Sequence, residues 1–290
     1  MEIFELRYFL GVAQHENIHR AAERLHVSPG SLSKAISRIE GELGTKLFSR
    51  EGRNIRLTAQ GVLLQKHASE IVQLEESTRL AVSGHRGSIR VVIAGAEILL
   101  SKMGLFLSQR IKSKFPLSTF EFHAVSDSEA IEQVGRGEAH LAIVTTDPPS
   151  SLHSKVLEEA TFQTCVGRGH KLYPLAKIKK AVPIEEVLAF PFASPNHPLL
   201  GQVGLKQSVD GWRDDKFPRK VEYRTSSLKL LEELVLGGTA LAYLPDYFIT
   251  GKEMEILKIS GCPYACKQTI KWVARDPKQL GWLNQVSFIV

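Results

Sequence analysis

The stretch from Arg20 to Leu43 constrains this chain more than any other, because it reads as two helices joined by a turn of only a few residues. Ala21, Ala22 and Leu25 gather small and apolar groups on one side. Leu32, Ala35, Ile36, Ile39 and Leu43 then recur at the three-and-four spacing of a buried helical stripe. Ser28 suits an N-cap, Pro29 suits the first helical position, where a missing N–H costs nothing, and Gly44 is a C-terminal stop. The second helix is therefore expected from about Ser28 to Leu43, and the pair forms a helix-turn-helix. Its other face carries Ser31, Ser33, Lys34, Ser37 and Arg38, short donors and cations with no apolar member. Such a face suits solvent or the major groove of DNA.

The residues that follow favour the groove. Lys46 to Arg50 and Asn54 to Thr58 are short strand-like runs around Glu51-Gly52-Arg53, the pattern of a hairpin and so of a wing. Between residues 20 and 60 there are eight Lys or Arg against four acids, an excess that points to phosphate.

The N-terminal landmarks resemble those of the LysR-type transcriptional regulators. They are Phe9, Val12-Ala13, Ala21-Ala22 to Leu25, Ser28, Ser33, Ile36, Ile39-Glu40, Leu43-Gly44 to Leu47-Phe48 and Arg50, and Leu57-Thr58 to Gly61. The family usually carries Gln-Pro-Ala or Gln-Ser-Ala after the cap serine, where this chain has Pro29-Gly30-Ser31, so a common base-contacting amide is missing. It also replaces the usual Gly-Ser-Phe with Glu16-Asn17-Ile18. The resemblance implies an α/β chain with a winged helix-turn-helix unit over residues 1–58, a linker and dimerisation helix with its hinge over 59–87, and a two-lobed, periplasmic-binding-protein-like effector unit over 88–290. Double-stranded DNA, a small-molecule effector and a second copy of the chain, as homodimer or homotetramer, are the partners it implies. The residues expected at DNA are Ser28, Pro29, Ser31, Ser33, Lys34, Ser37 and Arg38 on the second helix, with Arg50 and Arg53 in the wing.

From Thr58 to about Gly84 the period is helical, with Leu64, Ala68, Ile71, Leu74, Thr78 and Ala81 recurring every three or four residues. About 25 residues of helix span ~38 Å, more than a small winged unit can cover, so a partner helix is expected on this stripe. Ser83 to Ser88 reads as a hinge. Beyond it strands and helices alternate, as in a parallel α/β sheet: Ile89 to Ala94, Leu99 to Lys114, Thr119 to Val125, Ser128 to Arg136, and Ala139 to Thr145. A second βα unit is expected from near Thr161, including Phe190 to Ser194, a helix from Ser227 to Leu236, and strands at Ala240 to Leu244 and Thr269 to Ala274. Leu280, Leu283, Val286 and Val290 suggest a closing helix.

Ligands of open α/β sheets bind at the carboxyl ends of strands, where helix N-termini present free N–H groups. That rule selects Gly95 to Ser101 after the first strand, with Ala96, Glu97 and Ser101 as candidates, Ser126, Asp127 and Ser128 after the second, and Ser194 to His197 in the second lobe, with Ser194 and Asn196 as candidates. Glu97 and Asp127 disfavour a simple carboxylate ligand, and Ser and Asp are also ordinary helix caps. His140 reads as a packed or surface histidine.

A chain of 290 residues with a formal charge of +6 accommodates two or three compact units and fits a nucleic-acid partner. No basic-then-apolar leader pattern and no apolar run of about 18 residues occurs, so a cytoplasmic protein with no membrane partner is expected. Three cysteines, Cys165, Cys262 and Cys266, are too few for a disulfide framework, and no cofactor or metal is expected. Two other readings stay open: redox control through these thiols, and an enzyme fused to a DNA-binding unit. His15-Glu16-Asn17-Ile18-His19 matches a metalloprotease string, but that chemistry needs both histidines on one continuous helix. Phosphate-binding glycine loops and a Gly-x-Ser-x-Gly elbow are missing from the sequence.

Overall fold

The computed structural model describes residues 1–51, 54–82, 89–199, 208–262, 264–275, 282–283 and 286. The expected hinge at Ser83 to Ser88, the wing-tip Arg53, and the expected closing-helix residues Leu280 and Val290 lie outside the described residues.

Three helices open the chain: α1 (Ile3–His15), α2 (Ile18–Leu25) and α3 (Pro29–Leu43). Glu16 in the left-handed region, φ 45°, ends α1, and the Asn17 side chain accepts the Arg20 N–H to start α2. His15 and His19 therefore sit on different helices, and no group of three His, Cys, Asp or Glu side chains able to hold a metal occurs among the described residues. His26, φ 53°, closes α2, and Ser28 caps α3 by accepting the Ser31 N–H at 3.1 Å. Val12, Ala21, Ala22, Leu32 and Ile36 fill the space between the three helices.

The wing follows as β1 (Phe48–Glu51) antiparallel to β2 (Asn54–Leu57), with Phe48 opposite Leu57. Glu40 anchors it to α3, accepting the Leu47 N–H at 2.9 Å and pairing with Lys46 at 2.6 Å. Burial opposes its ionisation, yet Lys46 and these N–H groups win and hold the carboxyl below its ordinary range.

Helix α4 (Ala59–Val82) then divides its apolar residues between two faces. Ala68 and Val72 join Leu6, Phe9, Ala13, Ile39 and Leu47 in one cluster, with Leu64 packed against it. Val62, Leu63, Ile71, Leu74 and Val82 remain exposed. The single stripe expected from Leu64 to Ala81 is thus corrected: Leu64 and Ala68 serve the chain's own core, whereas Ile71 and Leu74 face outward. Thr78 is exposed, and the Ala81 side chain lies outside the described residues. Arg7 of α1 clasps Glu75 and Glu76 of α4 at 2.8 and 2.7 Å.

The C-terminal part begins as an alternating βαβαβ run: β3 (Arg90–Gly95), α5 (Glu97–Lys114), β4 (Thr119–Ala124), α6 (Asp127–Arg136) and β5 (Leu141–Val144). β3 lies between β4 and β5, parallel to both. The chain then leaves along β6 (His153–Gly167) and continues through α7 (Tyr173–Lys177), β7 (Val182–Pro183), α8 (Ile184–Leu188), β8 (Pro191–Pro195), β9 (Lys220–Thr225) and α9 (Leu228–Leu236). It closes with β10 (Ala242–Pro245), α10 (Asp246–Ile249), β11 (Met254–Ile256), β12 (Ile259–Ser260) and β13 (Lys267–Ala274), which returns antiparallel to β6 and to β5. The seven-stranded sheet runs β10-β6-β13-β5-β3-β4, with β11 also on β6, so β6 and β13 cross between two lobes. Strands β8 and β9 form a parallel pair in the second lobe.

Two expectations shift here. The second unit starts at His153 rather than near Thr161, because the first half of β6 is an exposed crossing strand with little apolar signal. Strand β9 is an addition to the expected elements. Near the end, Trp282, Leu283 and Val286 are buried, and Trp282 packs edge-on to Phe115. His140 is half-buried: its Nδ1 accepts the Val92 N–H at 3.0 Å, and desolvation, aided by Arg275 and Arg90, lowers its pKa to about 4.

Candidate functional site

Two surfaces gather the residues singled out by sequence. The first is the outer side of α3. Leu32, Ala35, Ile36 and Ile39 are buried, which turns Ser31, Ser33, Lys34, Ser37 and Arg38 outward, all of them exposed. Ser28 is exposed and Pro29 half-buried at the same end, but the Ser28 and Ser31 hydroxyls are 2.8 Å apart within the cap. Arg38 is partly committed, donating through Nη1 to Glu5 Oε1 at 3.0 Å; Glu5 is only 1% exposed, so this pair locks α3 to α1. Ser33, Lys34 and Ser37 have no side-chain partner among the described residues and form the open part of the face. Arg50 is exposed on β1.

The second surface is a cleft of about 390 Å³ between the lobes. Ala96, Glu97 and Ile98 contribute from the β3-α5 junction, and Ser126 from the β4-α6 junction. Across from them stand Pro195 and His197 after β8, and Thr225, Ser226 and Ser227 after β9. The N-terminus of α5 has no side-chain cap, whereas Ser126 and Ser227 cap α6 and α9 by accepting the N–H groups of Glu129 and Leu230. Ile98, Leu199, Leu228 and Leu231 line the apolar part.

Five of the expected ligand residues do not line this cleft. Asp127 is buried and turned to the end of β5, where Oδ2 accepts the N–H groups of Thr145 and Thr146 at 2.7 and 3.1 Å and the Thr145 hydroxyl at 3.0 Å. Ser128 sits beside the Ser126 hydroxyl at 3.1 Å, one step along α6 and off the wall. Ser194 is buried inside β8, Asn196 is exposed beyond it, and Ser101 lines a neighbouring hollow with Lys102 and Tyr247. The expected loop from Ser194 to His197 reaches the cleft through Pro195 and His197, whereas sequence reasoning missed the Thr225-Ser226-Ser227 turn. The available signal was the half-alternation of Val221, Tyr223 and Thr225 just before the cap serine.

Cys165 and Cys266 are buried, and burial pushes the Cys165 thiol up to about 12, the opposite of a reactive thiolate.

Comparison with known proteins agrees with this layout. Residues 3–62 match the family model described as bacterial regulatory helix-turn-helix protein, lysR family, and residues 84–269 match the LysR substrate binding domain. The HTH-type transcriptional regulator ClcR of Pseudomonas putida is 34% identical over 141 residues, covering 47% of this chain and 47% of ClcR. The chain thus spans about half the length of this curated relative. Among solved structures, a full-length, singly substituted OxyR from Pseudomonas aeruginosa superposes with a TM-score of 0.64 at 18% identity, covering 100% of this chain and 96% of that one. Full-length CbnR complexed with its target DNA gives 0.56 at 20% identity, with 98% of each chain covered. With a winged helix-turn-helix, a linker helix and a two-lobed α/β unit in this order, and with the second family model alone covering more than half of it, the chain belongs to the LysR family of bacterial helix-turn-helix regulators.

Proposed function

We propose that the protein is a sequence-specific DNA-binding transcriptional regulator whose DNA binding or activating state is set by a small molecule in the inter-lobe cleft. The observation that carries this reading is the sorting of α3: every apolar member of its stripe from Leu32 to Ile39 is buried, and Ser33, Lys34 and Ser37 stand free on the outer face. That arrangement presents short donors and one cation to base edges, with Arg50 beside them for the phosphate backbone. CbnR, of like fold, was solved in complex with its target DNA, which supports DNA as the partner of this chain. Fluorescence anisotropy with labelled fragments from the neighbouring genes tests it. The reading expects binding that falls steeply with salt and depends on sequence; sequence-independent binding alone refutes it.

The exposed row on α4 supports assembly with a second copy. Leu63 and Leu74 are each 59% exposed on a helix whose other side is fully used, a pattern that calls for a partner helix. For the cleft, serine and threonine hydroxyls and the uncapped α5 terminus favour a ligand with a polar end, while Ile98, Leu228 and Leu231 favour an apolar body. Glu97 at the mouth counts against a bare carboxylate there. A thermal-shift screen of neutral and amine-bearing metabolites, repeated on Ser226→Ala, checks the assignment. A ligand that stabilises both proteins equally binds elsewhere.

A further inference from the structure

The contact between linker helix α4 and the first lobe contains a buried cation with an incomplete set of partners. Gln65 Nε2 donates to Glu138 Oε1 at 3.0 Å, and Ser69 Oγ donates to the Arg136 carbonyl at 2.9 Å. At the centre Arg275, immediately after β13, is 5% exposed and donates through Nη2 to the Gln73 Oε1 of α4. Its Nη1 is buried and has no hydrogen-bond partner among the described residues. Gln73 offers a neutral carbonyl, so the guanidinium receives no counter-charge from its one acceptor, and burial holds its pKa below the usual value. The packing is tight: a Cβ on Gly137, φ 78°, would come within 2.3 Å of Ser69 Cβ and 2.8 Å of Arg275 Nη2.

Beside this cation lies a hollow of about 590 Å³, formed jointly by α4 and the lobe, with Arg275, Lys66 and Arg136 on its walls together with the carboxylates of Glu70 and Glu132. These two acids and the neighbouring Glu138 each have another partner, and Glu70 supplies Arg275 with counter-charge only from a distance, with no hydrogen bond between them among the described residues. Glu132 holds Arg136, Glu70 faces His67 at 3.3 Å, and Glu138 takes the Gln65 amide. Lys66 is exposed on the rim and has no ion pair among the described residues. This site is separate from the inter-lobe cleft, with which it shares no lining residue.

We propose that the hollow between α4 and the first lobe binds a small oxyanion, a carboxylate or a phosphate, that pairs with Arg275 and Lys66 and ties the linker helix to the effector unit. A planar guanidinium fork matches two oxygens of such a group, and a charged acceptor supplies what Gln73 does not. Because the two walls belong to different parts of the chain, an anion seated there stabilises their docked arrangement by mass action.

The test is thermal unfolding of the full chain, titrated with sulfate, phosphate or acetate against chloride at constant ionic strength. The expected result is a saturable rise in melting temperature, weakened about tenfold or more in apparent affinity by Lys66→Glu and abolished by Arg275→Met. Gln73→Glu places a carboxylate on Arg275 from within, so it should melt higher than the parent without added anion and lose the response. Lys66 is exposed, so the first and third variants carry the test even where Arg275→Met fails to fold. Saturation by phosphate and sulfate but not acetate assigns a phosphorylated ligand, and the reverse a carboxylate. A linear, non-saturating rise that is the same in the parent, Lys66→Glu and Gln73→Glu is general salt exclusion and overturns the proposal.

Discussion

Helices α3 and α4 are both amphipathic and adjacent in sequence, yet they finish their folding differently. In α3 the stripe of Leu32, Ala35, Ile36 and Ile39 is consumed by α1, α2 and the middle of α4, and what remains outside is polar except for Leu43, expected in the stripe but exposed on the last turn. In α4 one face is consumed by Phe9, Leu6 and Ile39, while Leu63, Ile71, Leu74 and Val82 remain exposed. A helix satisfied within its own chain can offer its polar face to DNA; a helix left half-satisfied demands another protein surface. The same period in the sequence thus serves two purposes, and only the count of available neighbours separates them.

The sharpest way to break this contrast is Leu74→Asp. The residue is exposed, so folding of the single chain should be unchanged, while the assembled particle loses its seam. Sedimentation should show the smaller particle, and operator affinity should drop about 10²–10⁴-fold as two half-sites cease to be held together. An unchanged mass would place the assembly surface elsewhere. On the other side of the comparison, Leu32→Ala removes a fully buried side chain from α3. Denaturant unfolding of the N-terminal unit should shift by about 2–5 kcal/mol, with the particle mass retained at temperatures below the transition.

Smaller changes sharpen the comparison within the DNA face. Lys34→Ala should cost about 1–3 kcal/mol concentrated at one base pair, whereas Arg50→Ala should weaken all sequences alike and reduce the salt slope. Equal, sequence-independent losses in binding titrations would remove Lys34 from the groove. Ser28→Ala should lower stability by about 1 kcal/mol through loss of the α3 cap, measured by chemical denaturation. A null effect would mean that Pro29 alone sets the start of the helix.

The N-terminal unit was legible because its signals are local. Ser28, Pro29 and Gly44 mark both ends of α3, and its stripe has one period throughout. The effector unit was less so wherever a strand serves two neighbours. The first half of β6 is exposed and rich in charge, so nothing in His153 to Glu159 announces a strand, and pairing with β13 supplies what the sequence does not display. Strand β9 was hidden in the same way, and with it the Thr225-Ser226-Ser227 wall of the cleft. Asp127 was misplaced for a different reason: an acid at a helix start suits a ligand, a cap or a loop equally, and only the approach of Thr145 and Thr146 decides for the loop. On α4, period alone could not tell Ala68 from Ile71, since their difference lies in which of them α1 reaches.

The crossing pair β6 and β13 connects the walls of the cleft, and its ladder is interrupted by a bulge between Ile270 and Lys271. A bulge raises local twist and weakens the ladder where it sits. The lobes are therefore joined by two paired strands whose ladder is least regular at one point, and β13 runs on from there to Ala274, next to the Arg275 that donates to Gln73 of α4. One continuous stretch of backbone thus serves both the junction of the two lobes and the contact with α4, so a change in either is felt by the same strand.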